Sequence, residues 1–225
     1  MYGFEILPRG PDPDPGLIAR AAKLPVSNIS DCMSRSSGSD WRIRPMHAGG
    51  GFAGCALTVK TRPGDNLMLH KALDIGRPGD VIVVDAGGDL SNALLGELMA
   101  AYADSRGLAG IVIDGAVRDS ASLKLRSFPV YAAGITHRGP YKDGPGVIGC
   151  PVSIGGMTVM PGDIIVGDDD GVLAIPAGCA AMILTRAEAV YRSEAEQSAD
   201  IQAGTWRRDW VDTALEASGV PLVVA

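Results

Sequence analysis

Aromatic residues are scarce in this chain of 225: Phe, Trp and Tyr together make up 5% of it. Val, Ile, Leu and Ala must therefore fill the interior. Runs of Lys or Arg longer than two are missing, and 26 acidic residues outnumber 20 basic ones for a formal net charge of −6. That balance removes the electrostatic footprint a nucleic-acid binder needs. The four cysteines, Cys32, Cys55, Cys150 and Cys179, lie far apart with no C-x-x-C pair, which signals neither a zinc site nor a disulfide framework. No stretch approaches the roughly 18 uninterrupted apolar residues of a membrane span. The opening MYGFEILPRGPDPDPG has neither the basic nor the long apolar region of a signal peptide. A cytoplasmic chain with reduced thiols is expected, without nucleic-acid or membrane partners, and the NIS sequon at Asn28 reads as a chance match.

What is present is an ordinary globular composition, 46% hydrophobic and 20% charged. The proline-rich opening to Gly16 predicts an exposed arm, because proline lacks an amide hydrogen and biases its predecessor toward extended geometry. From Leu17, short apolar runs alternate with helix-like stretches. Residues 56–61, 81–85, 110–114, 128–134, 152–160, 163–168 and 171–176 read as strands. LIARAAKL and GELMAAYADSRG read as helices, the second ending at Gly107, and a long final helix is expected over about 177–199. The turn signals PGD (161–163) and DDDG (168–171) suggest hairpins between the later strands. The expected class is α/β with sheets that mix parallel crossovers and antiparallel hairpins.

Chemistry centres on GIVIDGAVRD, residues 110–119. A glycine inside a helix costs about 1 kcal/mol relative to alanine, so Gly96 is read as the start of its helix. Glu97, Leu98 and Met99 then form a first turn whose unpaired amides and positive dipole end suit a carboxylate or phosphate. In crossover α/β units ligands gather where strand ends meet helix N-termini, and Arg118 and Asp119 stand just past such an end. A guanidinium there can clamp a carboxylate bidentately; the neighbouring carboxylate can bind a hard cation, with Glu97 as a second oxygen ligand. An Arg-Asp pair after a turn is also a common surface feature, so these two residues alone do not establish catalysis.

Other motifs fail on context. GGGFAG (49–54) fits G-x-G-x-x-G but leads into a strand, and DDDG lacks the alternation of a calcium loop. His47, His70 and His137 are scattered and read as structural. The exception is THRGPYKDGPG (136–146), a polar, cationic loop that would be useful over a dianionic substrate and whose composition alone suggests Lys142 and His137 as contacts to a distal carboxylate.

Taken in order, RPGDNLMLHKAL, RPGDVIVVDAGG, GELMAAYADSRGLAGIVIDGAVRD, THRGPYKDGPG and PGDIIVGDDDGVLAIP resemble the family that joins the regulator of ribonuclease activity A to the 4-hydroxy-4-methyl-2-oxoglutarate and 4-carboxy-4-hydroxy-2-oxoadipate aldolases. The resemblance spans 17–192, leaving 1–16 as the arm and 193–225 as a tail expected at an interface. It implies an α-β-β-α sandwich, a small 2-oxo acid substrate, a magnesium or manganese cofactor, and homotrimers or homohexamers with interfacial active sites. Arg118 would contact the pyruvyl unit, Asp119 would anchor the metal and its waters, and the Leu98 and Met99 amides beside Gly96 would hold the carboxylate.

Three departures qualify this. Glu97 stands where aspartate is common, Ser122 stands where the aldolases tend to carry an acid, and the neighbouring subunit's contribution could come from Glu194, Glu196 or Asp209. The implied activity is aldol cleavage to pyruvate, with oxaloacetate decarboxylation through the same enolate. The alternative is a non-catalytic, protein-binding regulator. The methyltransferase label attached to this family has no basis in these residues.

Overall fold

The computed structural model describes residues 3–220. The chain divides into two units, one ending at Ala187 and one beginning at Glu188. In the first, residues Phe52–Thr61 (β3), Asp80–Leu95 (β4), Gly110–Val117 (β5) and Val130–Ile135 (β6) run parallel, side by side, at the centre of a nine-stranded sheet. Helices Leu67–Ile75 (α3), Glu97–Ser105 (α4) and Ser120–Leu123 (α5) make the crossovers. Side chains alternate along each strand. Val81, Val83 and Val112 therefore enter one buried cluster, and Ile82, Val84, Ile111 and Ile113 enter the other. Both faces are covered, which is why these strands read as unbroken apolar runs. Each such side chain contributes about 1.5 to 3 kcal/mol on burial.

Helices α3 and α4 supply the second cluster with Leu69, Ala72, Leu73, Ala100 and Ala103. Pro15–Ala21 (α1), Val26–Cys32 (α2) and the first turns of the last long helix pack against the first cluster through Ala21, Ile29, Ile183, Leu184 and Ala187. The hairpin Val152–Ile154 (β8) and Met157–Val159 (β9) packs on the same side of the sheet, adding Val152, Ile154, Met157 and Val159 to the first cluster. The order is α-β-β-α, with mixed strand directions. Asp85 and Asp114, at the ends of the apolar runs, hold the hairpin: Asp85 Oδ2 accepts from the Ser153 amide at 3.2 Å and Asp114 Oδ2 from the Gly155 amide at 2.8 Å.

Several readings of the sequence need correction. The opening segment is largely exposed, but it is tied to the sheet. Phe4–Ile6 (β1) pairs with Gly146–Ile148 (β7), and both Arg9 terminal nitrogens reach the buried Asp80 carboxylate at 2.6 Å. Helix α1 starts at Pro15, a first-turn position that needs no amide donor, with the Asp14 carboxylate accepting from the Gly16 amide. Residues 152–160 are two strands, reversed at Gly155 and Gly156, whose φ values of +51° and +81° suit glycine.

DDDG does close a hairpin, between Ile164–Asp168 (β10) and Gly171–Ile175 (β11). PGD instead carries the chain from the small hairpin back to the main sheet, where β10 also pairs with β3. Strand β4 runs to Leu95, with shifts of register beyond Asp85. The final helix is preceded by a 3-10 turn at Ala177–Cys179 and spans Ala180–Ala203 (α6).

In the second unit, Asp209–Ala217 (α7) follows that helix, and Trp206 and Trp210 are exposed. All four cysteines are free thiols, and no helix among the described residues is long and apolar enough to cross a membrane.

Candidate active site

The site lies at the carboxyl ends of β4 and β5, where α4 begins. Gly96 is the residue before the first turn, in an extended conformation with φ −137°. Its value here is the absence of a side chain. A Cβ would lie 3.1 Å from both Cγ and Nε of Arg118, and closer to Asp119 Oδ2 than real contacts permit. The Asp119 carboxylate uses that space to accept from the Glu97 amide at 3.0 Å. Asp119 itself has φ +56°, a left-handed conformation that aspartate tolerates better than most residues. This turn aims the carboxylate back at the helix. Helix geometry leaves the next two amides, of Leu98 and Met99, without carbonyl partners four residues earlier in the same helix. They remain donors beside a positive dipole end.

A cavity of about 410 Å³ opens on this corner, lined among others by Asn66, His70, Gly96, Leu98, Met99, Arg118, Asp119 and Lys142. Its roof is the cationic loop, and the loop is stapled down. The fully buried Asp65 carboxylate accepts from the amides of Asp143 at 2.8 Å and Gly144 at 2.9 Å, and from the Arg62 guanidinium at 3.0 Å. Its other oxygen caps α3 through the Leu67 amide at 2.9 Å. Asn92 Nδ2 donates to the Gly139 carbonyl at 2.5 Å. These bonds place Lys142 in the cavity wall and Gly139 against the Arg118 guanidinium.

Sequence reasoning set Gly96, Leu98, Met99, Arg118, Asp119 and Lys142 together, and they line this cavity. Glu97 shares the turn but points elsewhere: its Oε1 is 3.3 Å from the Arg126 guanidinium. His137 lines an adjoining cavity of about 420 Å³, shared with Arg118 and Asp119. Glu194, Glu196 and Asp209 belong to the second unit, where Asp209 accepts from Arg207.

Two further cavity residues, His70 and Asn66, are not among those the sequence motifs point to, and His70 reads there as structural. Their signal was the NLMLH spacing, which sets them four apart, at the start of α3 and one turn along it. Burial, and after it the Lys142 ammonium, hold the His70 imidazole below its ordinary range, against the opposing pull of Asp74.

A profile described as Aldolase/RraA, of the RraA-like family, matches residues 26–174. The chain belongs to the RraA-like family. Among its relatives is a Halalkalibacterium halodurans protein named "Putative 4-hydroxy-4-methyl-2-oxoglutarate aldolase", 39% identical over 171 residues, covering 76% of this chain and 81% of that one. Among solved structures, Streptomyces coelicolor RraAS2, described as an unusual member of the RNase ES inhibitor RraA family, superposes with a TM-score of 0.75 at 28% identity, over 82% of this chain and 96% of the other. The RNA-processing inhibitor RraA from Thermus thermophilis gives a TM-score of 0.62 at 31% identity, over 68% and 92%. RraA-like membership thus spans relatives named as an enzyme and as inhibitors.

Proposed function

We propose that this RraA-like chain is a divalent-metal-dependent aldolase that cleaves 4-hydroxy-2-oxo di- or tricarboxylic acids, such as 4-hydroxy-4-methyl-2-oxoglutarate or 4-carboxy-4-hydroxy-2-oxoadipate, to pyruvate, and that decarboxylates oxaloacetate through the same enolate. One observation carries the reading: Arg118, Asp119, Lys142 and the unpaired amides of a helix N-terminus share one cavity.

In the cleavage the C3–C4 bond breaks and its electron pair stays on C3 as the enolate of pyruvate. The C4 hydroxyl gives up its proton as C4 becomes a carbonyl, and C3 takes up a proton to complete pyruvate. In oxaloacetate the breaking bond leads to carbon dioxide instead. The Leu98 and Met99 amides would hold the substrate carboxylate, Arg118 would face the enolate oxygen, and Lys142 would meet the distal carboxylate. Preorganised donors of this kind act where charge develops.

Among the described residues no three His, Cys, Asp or Glu side chains converge as a metal cluster. A cation would be held by Asp119 with water and substrate oxygens, which suits magnesium or manganese; Glu97 would join only by leaving Arg126. When bound, such a metal supplies Lewis-acid polarisation of the 2-oxo group. Leu98, 84% exposed, and Ile135, 51% exposed, lie at the two cavities. On this reading the active sites are interfacial, in a homotrimer or homohexamer, and Leu98 and Ile135 would be covered by a neighbouring subunit. On this reading residues 17–192 form the aldolase domain and 193–225 an interface tail.

The test is pyruvate release, coupled to lactate dehydrogenase, from 4-hydroxy-4-methyl-2-oxoglutarate and from oxaloacetate, with magnesium or with chelator. Wild type should need the metal, and Arg118→Ala should lose about 100-fold or more in kcat/KM. No turnover of either acid by an intact oligomer would favour the second reading, a non-catalytic regulator, which the inhibitor relatives support.

A further inference from the structure

Asn66 starts α3, a position where asparagine ordinarily turns its side-chain oxygen onto the helix's own amides. Here it does not. Asp65 has taken the Leu67 amide, and Asn66 Nδ2 is drawn the other way, donating to the Leu94 carbonyl at 2.8 Å with the Met99 thioether at 3.4 Å. The amide cannot be turned over, because that would set two acceptors against each other at the Leu94 carbonyl. Oδ1 is therefore left with no partner among the described residues, in a side chain that is 2% exposed and lines the cavity. An unsatisfied buried acceptor is costly, and folds seldom retain one without use.

The other fixed polar groups of the cavity narrow that use. Arg118, Lys142 and the first-turn amides can only donate, and they suit carboxylate and oxo oxygens. Asp119 is turned onto the Glu97 amide. Asn66 offers a neutral acceptor, and in an ionised hydroxy-oxo acid only the hydroxyl can donate to it.

We infer that Asn66 Oδ1 accepts the C4 hydroxyl of the substrate and so selects hydroxylated oxo acids over plain ones. This rests on the aldolase reading above. Oδ1 is covered in this conformation, so the hydroxyl reaches it through a shift of the wall. Met99, unbranched and in contact with the Asn66 amide, is the adaptable part of that wall.

The experiment compares kcat/KM for 4-hydroxy-4-methyl-2-oxoglutarate and oxaloacetate in wild type and Asn66→Ser, whose hydroxyl suits a helix start. The variant should lose about 10- to 100-fold on the hydroxy acid and under about threefold on oxaloacetate. Equal losses on both acids would overturn the inference, since a residue that merely positions Leu94 serves both reactions; no loss would overturn it as well. A measurement needing no variant is the inhibition constant of 4-methyl-2-oxoglutarate, which lacks only the hydroxyl. It should bind wild type at least about tenfold more weakly than the hydroxy acid, and equal affinity refutes the assignment. If wild type turns over neither acid, the aldolase reading fails and takes this inference with it.

Discussion

Gly96→Ala probes the corner where three functional groups meet. The new Cβ would sit 3.1 Å from Arg118 Cγ and Nε and would overlap Asp119 Oδ2. The backbone need not move, because φ −137° and ψ −172° are open to alanine. The side chains of Arg118 and Asp119, 46% and 43% exposed, have room to yield instead. Yielding breaks the hydrogen bond from the Glu97 amide to Asp119, a charge-assisted bond of about 1.5 to 3 kcal/mol. Alanine is also a poorer helix N-cap than glycine, by up to about 1 kcal/mol. Water can reoccupy part of the exposed turn, so a net loss of about 1 to 2 kcal/mol is expected, or roughly 2 to 8 °C in Tm at about 2 to 4 °C per kcal/mol for a unit of this size. On the aldolase reading, activity should suffer far more. Displacing a catalytic group by about an ångström can cost roughly 100-fold, and here the guanidinium and the carboxylate move together. Urea unfolding and coupled pyruvate release, run on the same preparation, measure both effects. A Gly96→Ala protein that keeps more than half of wild-type kcat/KM would refute the claim that this close approach sets the site.

Two further outcomes follow from groups around the cavity. Asp65→Ala removes the acceptor for the Leu67, Asp143 and Gly144 amides and for Arg62; at about 1 to 3 kcal/mol for each donor left unsatisfied, it should cost about 3 kcal/mol or more in urea unfolding and speed hydrogen exchange over 136–146. Unchanged exchange there would show that Asp65 does not hold the roof. For His70, whose native pKa lies below its ordinary value near 6.5, the unfolded chain takes up the proton first as pH falls. Stability is therefore fully present above about pH 6.5 and is lost as pH drops through the lower native value. His70→Gln should remove that part of the acid sensitivity between pH 7.5 and 5.5, and parallel urea curves for the two proteins would contradict it.

The strands VIVVD and GIVID were legible because burial on both faces leaves an unbroken apolar run. The start of α4 was legible because glycine is costly inside a helix. Those two local rules by themselves bring Gly96, Arg118 and Asp119 to one corner. Less was legible where partners are distant in sequence. The Arg9 pairing with Asp80 spans 71 residues, and no local pattern distinguishes a fastened arm from a free one. The segment 152–160 read as one strand because Gly155 and Gly156 interrupt an apolar alternation without a charged turn residue.

The local chemistry of the chain thus determined which residues could form a carboxylate-binding, cation-binding corner: a helix-starting glycine, a guanidinium and a carboxylate past a strand end. Tertiary structure decided where the nearby groups stand around it. It turned Glu97 toward Arg126, lowered Lys142 into the wall by bonding its loop to a buried Asp65, and left Asn66 with an oxygen that no residue of its own neighbourhood satisfies. Hydrogen bonds and packing across crossovers fix the direction of a side chain, whereas the order of residues fixes only its chemical kind.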